Sequence, residues 1–246
     1  MSGSACRDFS PPNRSARREF IFNFHGVGKP GRELVPGEEK FWLSVDAFER
    51  SLDRLAELDP SRSKIGITFD DGNVSDIEIA LPRLLARKLT ARFFVLAGRL
   101  DAPQFLSSSD LKELRRAGMK IGTHGVDHVD WRLASDQVLD REINEGRTQI
   151  SDALGEPVDE IAVPYGAYDR RVLRWLLRSR YAAVFTSDGG SCASKGWLRP
   201  RTCIRADTEL SDLDDVVSRT GFVNTAIQDV RLLKRQMFPT REWALG

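Results

Sequence analysis

The stretch KIGITFDDG, residues 64–72, is an apolar run of strand length that ends in two adjacent carboxylates and a glycine. A short apolar run bounded by turn residues predicts a buried strand. Asp70 and Asp71 repel each other at the point where this strand leaves the core, so something has to stabilise them. Turn chemistry is one explanation, because Asp accepts hydrogen bonds from local amides and Gly takes positive φ. Another is that Asp71 or Asn73 caps a helix starting near Val74.

Strand-length apolar runs alternate with amphipathic stretches along most of the chain. The predicted strands are residues 19–24, 64–69, 91–97, 119–122, 160–163, 181–187 and a weaker 197–204. The predicted helices are residues 45–58, 74–88, 110–117, 136–154 and 169–179, with a candidate capping box from Asp110 to Glu113. This alternation predicts one α/β domain with a mostly parallel sheet, either closed as a barrel or open and doubly wound.

Both ends of the chain depart from this pattern. Residues 1–18 are rich in Ser, Pro and Arg and predict a flexible arm, while residues 206–246 predict a helical extension with two terminal helices. We expect these helices to pack on the outside of the domain or to hold a homo-oligomer together. The first 18 residues lack the apolar core of a signal peptide, and no later run approaches the roughly 18 apolar residues of a membrane span, which predicts a cytoplasmic protein without one.

The composition excludes some functions. Hydrophobic residues make up 41% of the chain and charged residues 30%, as in ordinary soluble globular proteins. The 37 Lys and Arg balance 36 Asp and Glu, so the charge gives no reason to expect nucleic acid or an anionic membrane as partner. Cys6, Cys192 and Cys203 show no metal-binding or redox spacing.

Residues able to carry chemistry follow the predicted strands. In chain order they are His25 after the first strand, Asp70 and Asp71 after the second, His124 and His128 after the fourth, and PYG (164–166) after the fifth. Because the carboxyl ends of parallel strands converge on one mouth, we expect these residues to share a cavity. Two imidazoles and a carboxylate are the usual ligands of a catalytic zinc ion, with a fourth position left for water. Two histidines four residues apart also occur by chance, so the neighbouring carboxylates are needed for the metal hypothesis.

Three motifs in this order, TFDDG (68–72), THGVDH (123–128) and PYG (164–166), resemble those of polysaccharide deacetylases, the NodB-homology or carbohydrate esterase 4 family. The likeness covers most of the chain, and we assign the domain to residues 19–205. The resemblance implies a distorted (β/α) barrel with about seven parallel strands in a single domain. It also implies hydrolysis of an N-acetyl amide on a sugar.

The same resemblance assigns roles to individual residues. Asp71, His124 and His128 would bind a divalent metal, usually zinc, and Asp70 would be the general base. The backbone amide of Tyr165 would help to hold the oxyanion. Metal binding also explains the carboxylate pair, because two adjacent carboxylates no longer conflict once one of them neutralises part of a dication.

Two departures from the family pattern concern catalysis. Many members carry an Arg shortly before PYG that orients the catalytic Asp, but Ala162 stands near that place here. Arg201, on the weak last strand, is a candidate to supply the charge instead, with a surface ion pair as the alternative. The usual C-terminal histidine acid is also missing, since no His follows His128. The stretch FNFHGVG resembles the permuted exopolysaccharide deacetylases, which implies that His25 is the acid.

Other functions stay open at this point. GVGKPG (26–31) satisfies the dinucleotide-binding pattern GxGxxG, but Pro30 and a further Pro36 follow where the pyrophosphate-binding helix should begin, so we interpret it as a mobile lip. A deformylase or an amidase on a non-polymeric substrate would use the same site, and an inactive carbohydrate-binding member would keep the fold. Three tryptophans are candidate sugar-stacking platforms or packing residues: Trp42, Trp131 and Trp197. A cytoplasmic enzyme would act on a nucleotide-linked or lipid-linked precursor in surface polysaccharide biosynthesis.

Overall fold

The computed structural model describes residues 18–58, 64–193 and 196–218. Its strands, in chain order, are β1 (Arg18–Phe24), β2 (Gly26–Val27), β3 (Trp42–Leu43), β4 (Lys64–Asp71), β5 (Arg92–Val95), β6 (Lys120–Thr123), β7 (Glu160–Ala162), β8 (Ala183–Thr186), β9 (Ser191–Ala193), β10 (Leu198–Pro200) and β11 (Thr202–Cys203). The helices are α1 (Val45–Glu57), α2 (Leu81–Ala86), α3 (Ser108–Arg116), α4 (Asp136–Asp140), α5 (Gly146–Leu154), α6 (Arg170–Arg178) and α7 (Leu210–Ser218).

Eight strands form one sheet in the order β10-β8-β7-β6-β5-β4-β1-β11, with parallel pairing throughout, and β9 adds an antiparallel pairing to β1. The two end strands, β10 and β11, are separated in the chain only by Arg201. The segment therefore pairs first with β8 and then with β1, which nearly closes the sheet on itself. The predicted distorted (β/α) barrel in a single domain is confirmed. The last predicted strand is split in two at Arg201.

Strand alternation separates the barrel interior from the helical layer. Phe20, Phe22 and Phe24 of β1 pack in the main core with α1, α2 and α3. Their neighbour Ile21 belongs instead to a small interior cluster with Phe94 and other residues. The inward positions nearer the carboxyl end of β1 and β4 are polar, and they carry the candidate site.

The helices begin and end close to the predicted positions, with three local differences. The first turns after β4 form a π-helical segment at Asp76–Ala80 that leads into α2. The helix predicted over 136–154 is α4 and α5 joined by a π-helical segment at Arg141–Glu145. The capping box of α3 is formed by Ser107 and Asp110, three residues earlier than predicted, because Ser107 begins the helix with its side chain and Asp110 returns a bond to its amide.

The predicted terminal segments are only partly covered by the structure. Of the predicted arm at 1–18, residues 1–17 lie outside the described residues, and so does the second predicted terminal helix. The first terminal helix, α7, packs on α1: Leu213 is buried and Asp214 pairs with Arg54 at 2.6 Å between Oδ1 and Nη2. The domain boundaries and a homo-oligomer stay predictions.

Candidate active site

The predicted site residues lie at the carboxyl ends of neighbouring strands. Asp70 and Asp71 end β4, and His124 directly follows β6, two strands away across β5. His25 follows β1 on the other side of β4. The fold thus brings acids and histidines from three separate parts of the chain to one edge of the barrel, as the βα pattern predicts.

Asp71, His124 and His128 converge. The Nε2 atoms of His124 and His128 lie 3.7 and 3.6 Å from Asp71 Oδ1, and one ligand atom from each residue lies within 4.8 Å of the others. Two ligands bound tetrahedrally to one zinc ion at about 2.1 Å would be roughly 3.4 Å apart. The observed spacing is therefore close to that of a three-ligand metal centre.

The hydrogen bonding of His124 and the burial of His128 both favour metal binding. His124 Nδ1 lies 2.9 Å from the carbonyl oxygen of Ala162, and a carbonyl oxygen only accepts hydrogen bonds. Nδ1 therefore carries the proton and Nε2, which faces the carboxylates, is free to bind a metal, the arrangement common for metal-ligating histidines. Burial lowers the pKa of His128 to about 4, so that this ring is neutral at neutral pH.

Asp71 carries one feature that turn chemistry does not explain, a carboxylate oxygen that is unpartnered within the described part of the chain. Its backbone is left-handed, with φ at +77°, and its buried Oδ1 has no hydrogen-bond partner among the described residues. Asp tolerates the left-handed backbone in a turn, but a buried carboxylate oxygen without a partner is costly. The helix-cap alternative is wrong for Asn73, whose Oδ1 accepts from Arg32, and the helical segment begins only at Asp76. A cation would satisfy the orphaned oxygen, so the residues fit a divalent metal.

Asp70 is held by a buried arginine. Arg201 is fully buried, and its Nη1 and Nη2 donate to Oδ1 and Oδ2 of Asp70 at 2.6 and 2.8 Å. The surface-ion-pair alternative for Arg201 is therefore wrong, because this bidentate pair lies inside the barrel. Burial alone would raise the pKa of Asp70, but Arg201 and His124 hold it well below its usual value. Asp70 is consequently ionised throughout the neutral range.

Asn23, on β1, belongs to the same network, and sequence reasoning missed it. Its Nδ2 donates to Asp70 Oδ2 at 3.0 Å, and its Oδ1 accepts from Arg201 Nη1 at 2.8 Å and from Thr68 Oγ1 at 2.6 Å. The available signal was a polar residue between Phe22 and Phe24, near the carboxyl end of a predicted buried strand.

His25 lies beside Asp70. Its Nε2 is 4.0 Å from Asp70 Oδ2, and its ring packs against Phe41 with the centroids 4.8 Å apart. The His25 side chain is 17% exposed, whereas the Asp70 side chain is 3% exposed. Burial lowers the pKa of His25 below its usual value, against the opposing effect of Asp71 and Asp70. Its position is compatible with the predicted acid role.

Tyr165 reaches the site through the PYG turn after β7. Its backbone is left-handed, with φ at +57°, and its half-exposed ring packs on His128 with the centroids 4.2 Å apart. A positive φ at a non-glycine residue is uncommon and marks a backbone held by its surroundings. The turn therefore lies beside the candidate metal ligands, and the oxyanion role of its backbone amide stays a prediction.

A buried glutamate, also missed from the sequence, holds the loop that carries the histidines. Glu142 accepts from the amides of Val126 and Asp127 at 2.9 and 3.0 Å and lies 3.4 Å from Trp131 Nε1. These two amides lie between His124 and His128 in the sequence. The π-helical segment that interrupts the predicted helix thus places an acid directly behind the loop that carries the two candidate metal-binding histidines.

The three tryptophans proposed as sugar platforms or packing residues lie in different environments. Trp131 is fully buried beside Glu142, so a role as a sugar platform is wrong. Trp197 is partly buried and donates to the carbonyl of Tyr181 at 2.9 Å, as a packing residue does. Trp42 is partly exposed, with Arg32 lying 5.5 Å from its ring centroid. Residues 28–38 form no helix, in agreement with the rejection of a dinucleotide site.

A family model for polysaccharide deacetylase matches residues 57–184, more than half of the chain. The chain belongs to the polysaccharide deacetylase family. Among curated proteins, this family member is 22% identical over 183 residues to YxkH of Bacillus subtilis, named a polysaccharide deacetylase, covering 70% of this chain and 66% of that protein. It is 32% identical over 111 residues to the peptidoglycan-N-acetylglucosamine deacetylase of Bacillus cereus, covering 44% of this chain and 49% of that protein.

The alignments therefore span less than two thirds of the length of both curated relatives. Among solved structures, the Streptococcus pyogenes deacetylase PplD in complex with acetate superimposes with a TM-score of 0.70 at 21% identity, over 82% of this chain and 99% of that chain. At this identity the likeness shows the fold. Within the described residues, this polysaccharide deacetylase family member has no helix long and apolar enough to cross a membrane.

Proposed function

We propose that this chain is a metal-dependent hydrolase that removes the N-acetyl group from an amino sugar in a saccharide or saccharide precursor. The observation that carries the proposal is the convergence of Asp71, His124 and His128 beside the ionised Asp70. The peptidoglycan substrate named for the Bacillus cereus relative supports an N-acetylated sugar as substrate class. Two adjacent acids thereby receive different roles, one as metal ligand and one as base.

The ligand set would hold a divalent ion, zinc by preference for two imidazoles and a carboxylate. When bound, such an ion polarises the amide carbonyl and lowers the pKa of water. Asp70 is ionised and takes the proton of the attacking water. Because pairing with Arg201 lowers the pKa of Asp70, Asp70 is a weak base. It therefore requires a water molecule whose own pKa is lowered. His25, next to Asp70, would return a proton to the leaving amine, and the amide of Tyr165 would stabilise the oxyanion.

Acetate release from tetra-N-acetylchitotetraose, measured with the apoprotein and with added zinc, tests this proposal. We expect turnover only with the metal, and we expect Asp70→Asn to bind zinc normally but to lose activity by about 100-fold or more, as removal of a general base does. Asp127→Asn is the matched control, because this acid lies in the ligand loop but pairs with Arg141 at the surface. Full activity of Asp70→Asn would remove it as the base.

The same assay separates the alternatives. Formate release from an N-formylated oligomer without acetate release would indicate a deformylase. Zinc binding without turnover of either compound would favour an amidase on another substrate or an inactive carbohydrate-binding member. A role in surface polysaccharide biosynthesis and the cytoplasmic location stay predictions from the sequence.

A further inference from the structure

The side-chain amide of Asn23 has only one possible orientation. Its Oδ1 lies 2.8 Å from Arg201 Nη1 and 2.6 Å from Thr68 Oγ1. A guanidinium only donates hydrogen bonds, so the atom facing it must be the amide oxygen. The NH2 group therefore faces Asp70, 3.0 Å from Oδ2. Asn23, Thr68, Asp70 and Arg201 are all buried, so water does not compete for these bonds.

These contacts restrain Asp70 more than the ion pair does alone. Arg201 binds both carboxylate oxygens, but a guanidinium and a carboxylate paired in this way are able to shift together as a unit. Asn23 contacts both members of the pair, donating to one and accepting from the other. It also ties them to β1, the strand next to β4. The Oδ2 atom that Asn23 binds is the one that faces His25 and His124, at 4.0 and 3.8 Å between Oδ2 and the Nε2 atoms.

We infer that Asn23 is the positioning residue of the catalytic base: it fixes the Asp70 carboxylate in a single orientation, with Oδ2 toward His25 and His124, by hydrogen-bonding both Asp70 and Arg201 from β1. The catalytic part of this inference rests on the proposed function, whereas the positional part stands on the contacts alone. Asn23 acts through Asp70 and does not itself touch the substrate.

Two substitutions of similar volume separate its contacts. Asn23→Leu removes both the donor and the acceptor. Asn23→Asp keeps an acceptor for Arg201 and Thr68 but cannot donate to Asp70 when it is ionised. The control is Tyr181→Phe, which removes the buried hydrogen bond from the Tyr181 hydroxyl to the Ile143 carbonyl and the contact of that hydroxyl with Arg147, in the separate core cluster around β7 and β8.

The kinetic test uses the zinc-loaded protein with two probes, tetra-N-acetylchitotetraose and 4-methylumbelliferyl acetate. The aryl ester has a good leaving group and needs no acid, but its hydrolysis still needs the base. We expect both Asn23 variants to lose about 10- to 100-fold in kcat on both probes, with KM and zinc content within twofold of wild type. A merely structural role would give a loss no larger than that of Tyr181→Phe at equal thermal stability, and that result would overturn the inference.

A crystal structure of the metal-free Asn23→Leu variant tests the position without turnover. We expect the Asp70 carboxylate to rotate or to occupy two conformers, and an unchanged single conformer contradicts the inference. If Asn23→Leu does not fold, Asn23→Ala, which also removes both the donor and the acceptor without adding a charge, gives the same comparison. If zinc-loaded wild type turns over neither probe, the proposed function fails, and the crystallographic comparison still decides whether Asn23 positions Asp70.

Discussion

Replacing Arg201 by Met leaves Asp70 buried without its counter-charge, and the consequence for stability follows from the contacts. Met has a similar reach but no charge, so both hydrogen bonds to Asp70, at 2.6 and 2.8 Å, are lost together. Removing one partner of a buried ion pair costs about 3–5 kcal/mol. In a chain of this size each kcal/mol shifts Tm by about 2–4 °C, so the expected loss of Tm is about 6–20 °C.

The loss of stability in Arg201→Met should depend on pH in a defined direction. In the wild type the pKa of Asp70 lies below its usual 3.8, so its contribution to stability is complete above about pH 4 and is lost only as the pH falls through the folded-state pKa. In Arg201→Met we expect burial to outweigh the remaining effect of His124 and to raise the pKa of Asp70. A carboxyl group whose pKa is higher in the folded than in the unfolded state lowers the stability of the folded protein at high pH. This destabilisation disappears as the pH falls. The stability difference between the two proteins should therefore narrow from pH 7 to pH 4.5.

Urea unfolding followed by circular dichroism, with EDTA present to remove metals, measures this difference at both pH values. Arg115→Met is the control, because Arg115 and Glu156 form an ion pair in which both side chains are more than 40% exposed. Such a pair contributes about 0–1 kcal/mol. A loss for Arg201→Met no larger than for the control, or a gap that does not change with pH, would refute the assignment of Arg201 as the buried counter-ion of Asp70.

The remaining predictions concern the metal, the acid and the ligand loop. Wild type should hold about one zinc ion per chain and His124→Ala close to none, and elemental analysis that finds the wild type empty at saturating zinc would contradict the ligand assignment. His25→Ala should lower kcat for acetate release from the amide by about 100-fold or more but leave hydrolysis of 4-methylumbelliferyl acetate nearly unchanged, because a phenolate leaves without a proton; equal losses on both probes would assign the acid elsewhere. Glu142→Gln should weaken zinc affinity about 10- to 100-fold in competition with a chelator, since one of the two acceptor oxygens becomes a donor, whereas the exposed Glu145→Gln should not; equal affinities would remove Glu142 as a support of the loop.

The sequence predicted the residues whose positions follow from strand ends. Asp70, Asp71 and His124 each stand at the carboxyl end of a strand, and parallel topology alone brings such residues to one edge. Their convergence required no knowledge of the connecting helices. The main helices were predictable for the same reason, because periodicity is a local property of the chain.

The features that the sequence did not predict depend on contacts between distant parts of the chain. Arg201 contacts Asp70, 131 residues away in the sequence, only because the last strands close the barrel. The sequence alone therefore did not decide whether Arg201 is buried or exposed. Asn23 belongs to a strand whose apolar neighbours suggest nothing but core. The π-helical segment around Glu142 interrupts a periodic pattern that contains no proline and has a glycine, Gly146, only directly after the segment. Trp131 gave no sign from sequence that its indole N–H lies beside that acid.

Arg201 is the single residue between the two strands that close the barrel, and this bears on the order in which a newly made chain becomes complete. A polypeptide synthesised as far as residue 200 already contains all three proposed metal ligands, but it lacks Arg201, the residue that pairs with Asp70. The proposed metal ligands are thus all present in the chain before Asp70 can be held by Arg201. A fragment truncated within this last segment would be expected to retain zinc affinity while lacking hydrolysis, the same separation that Asp70→Asn produces by removing the acid itself.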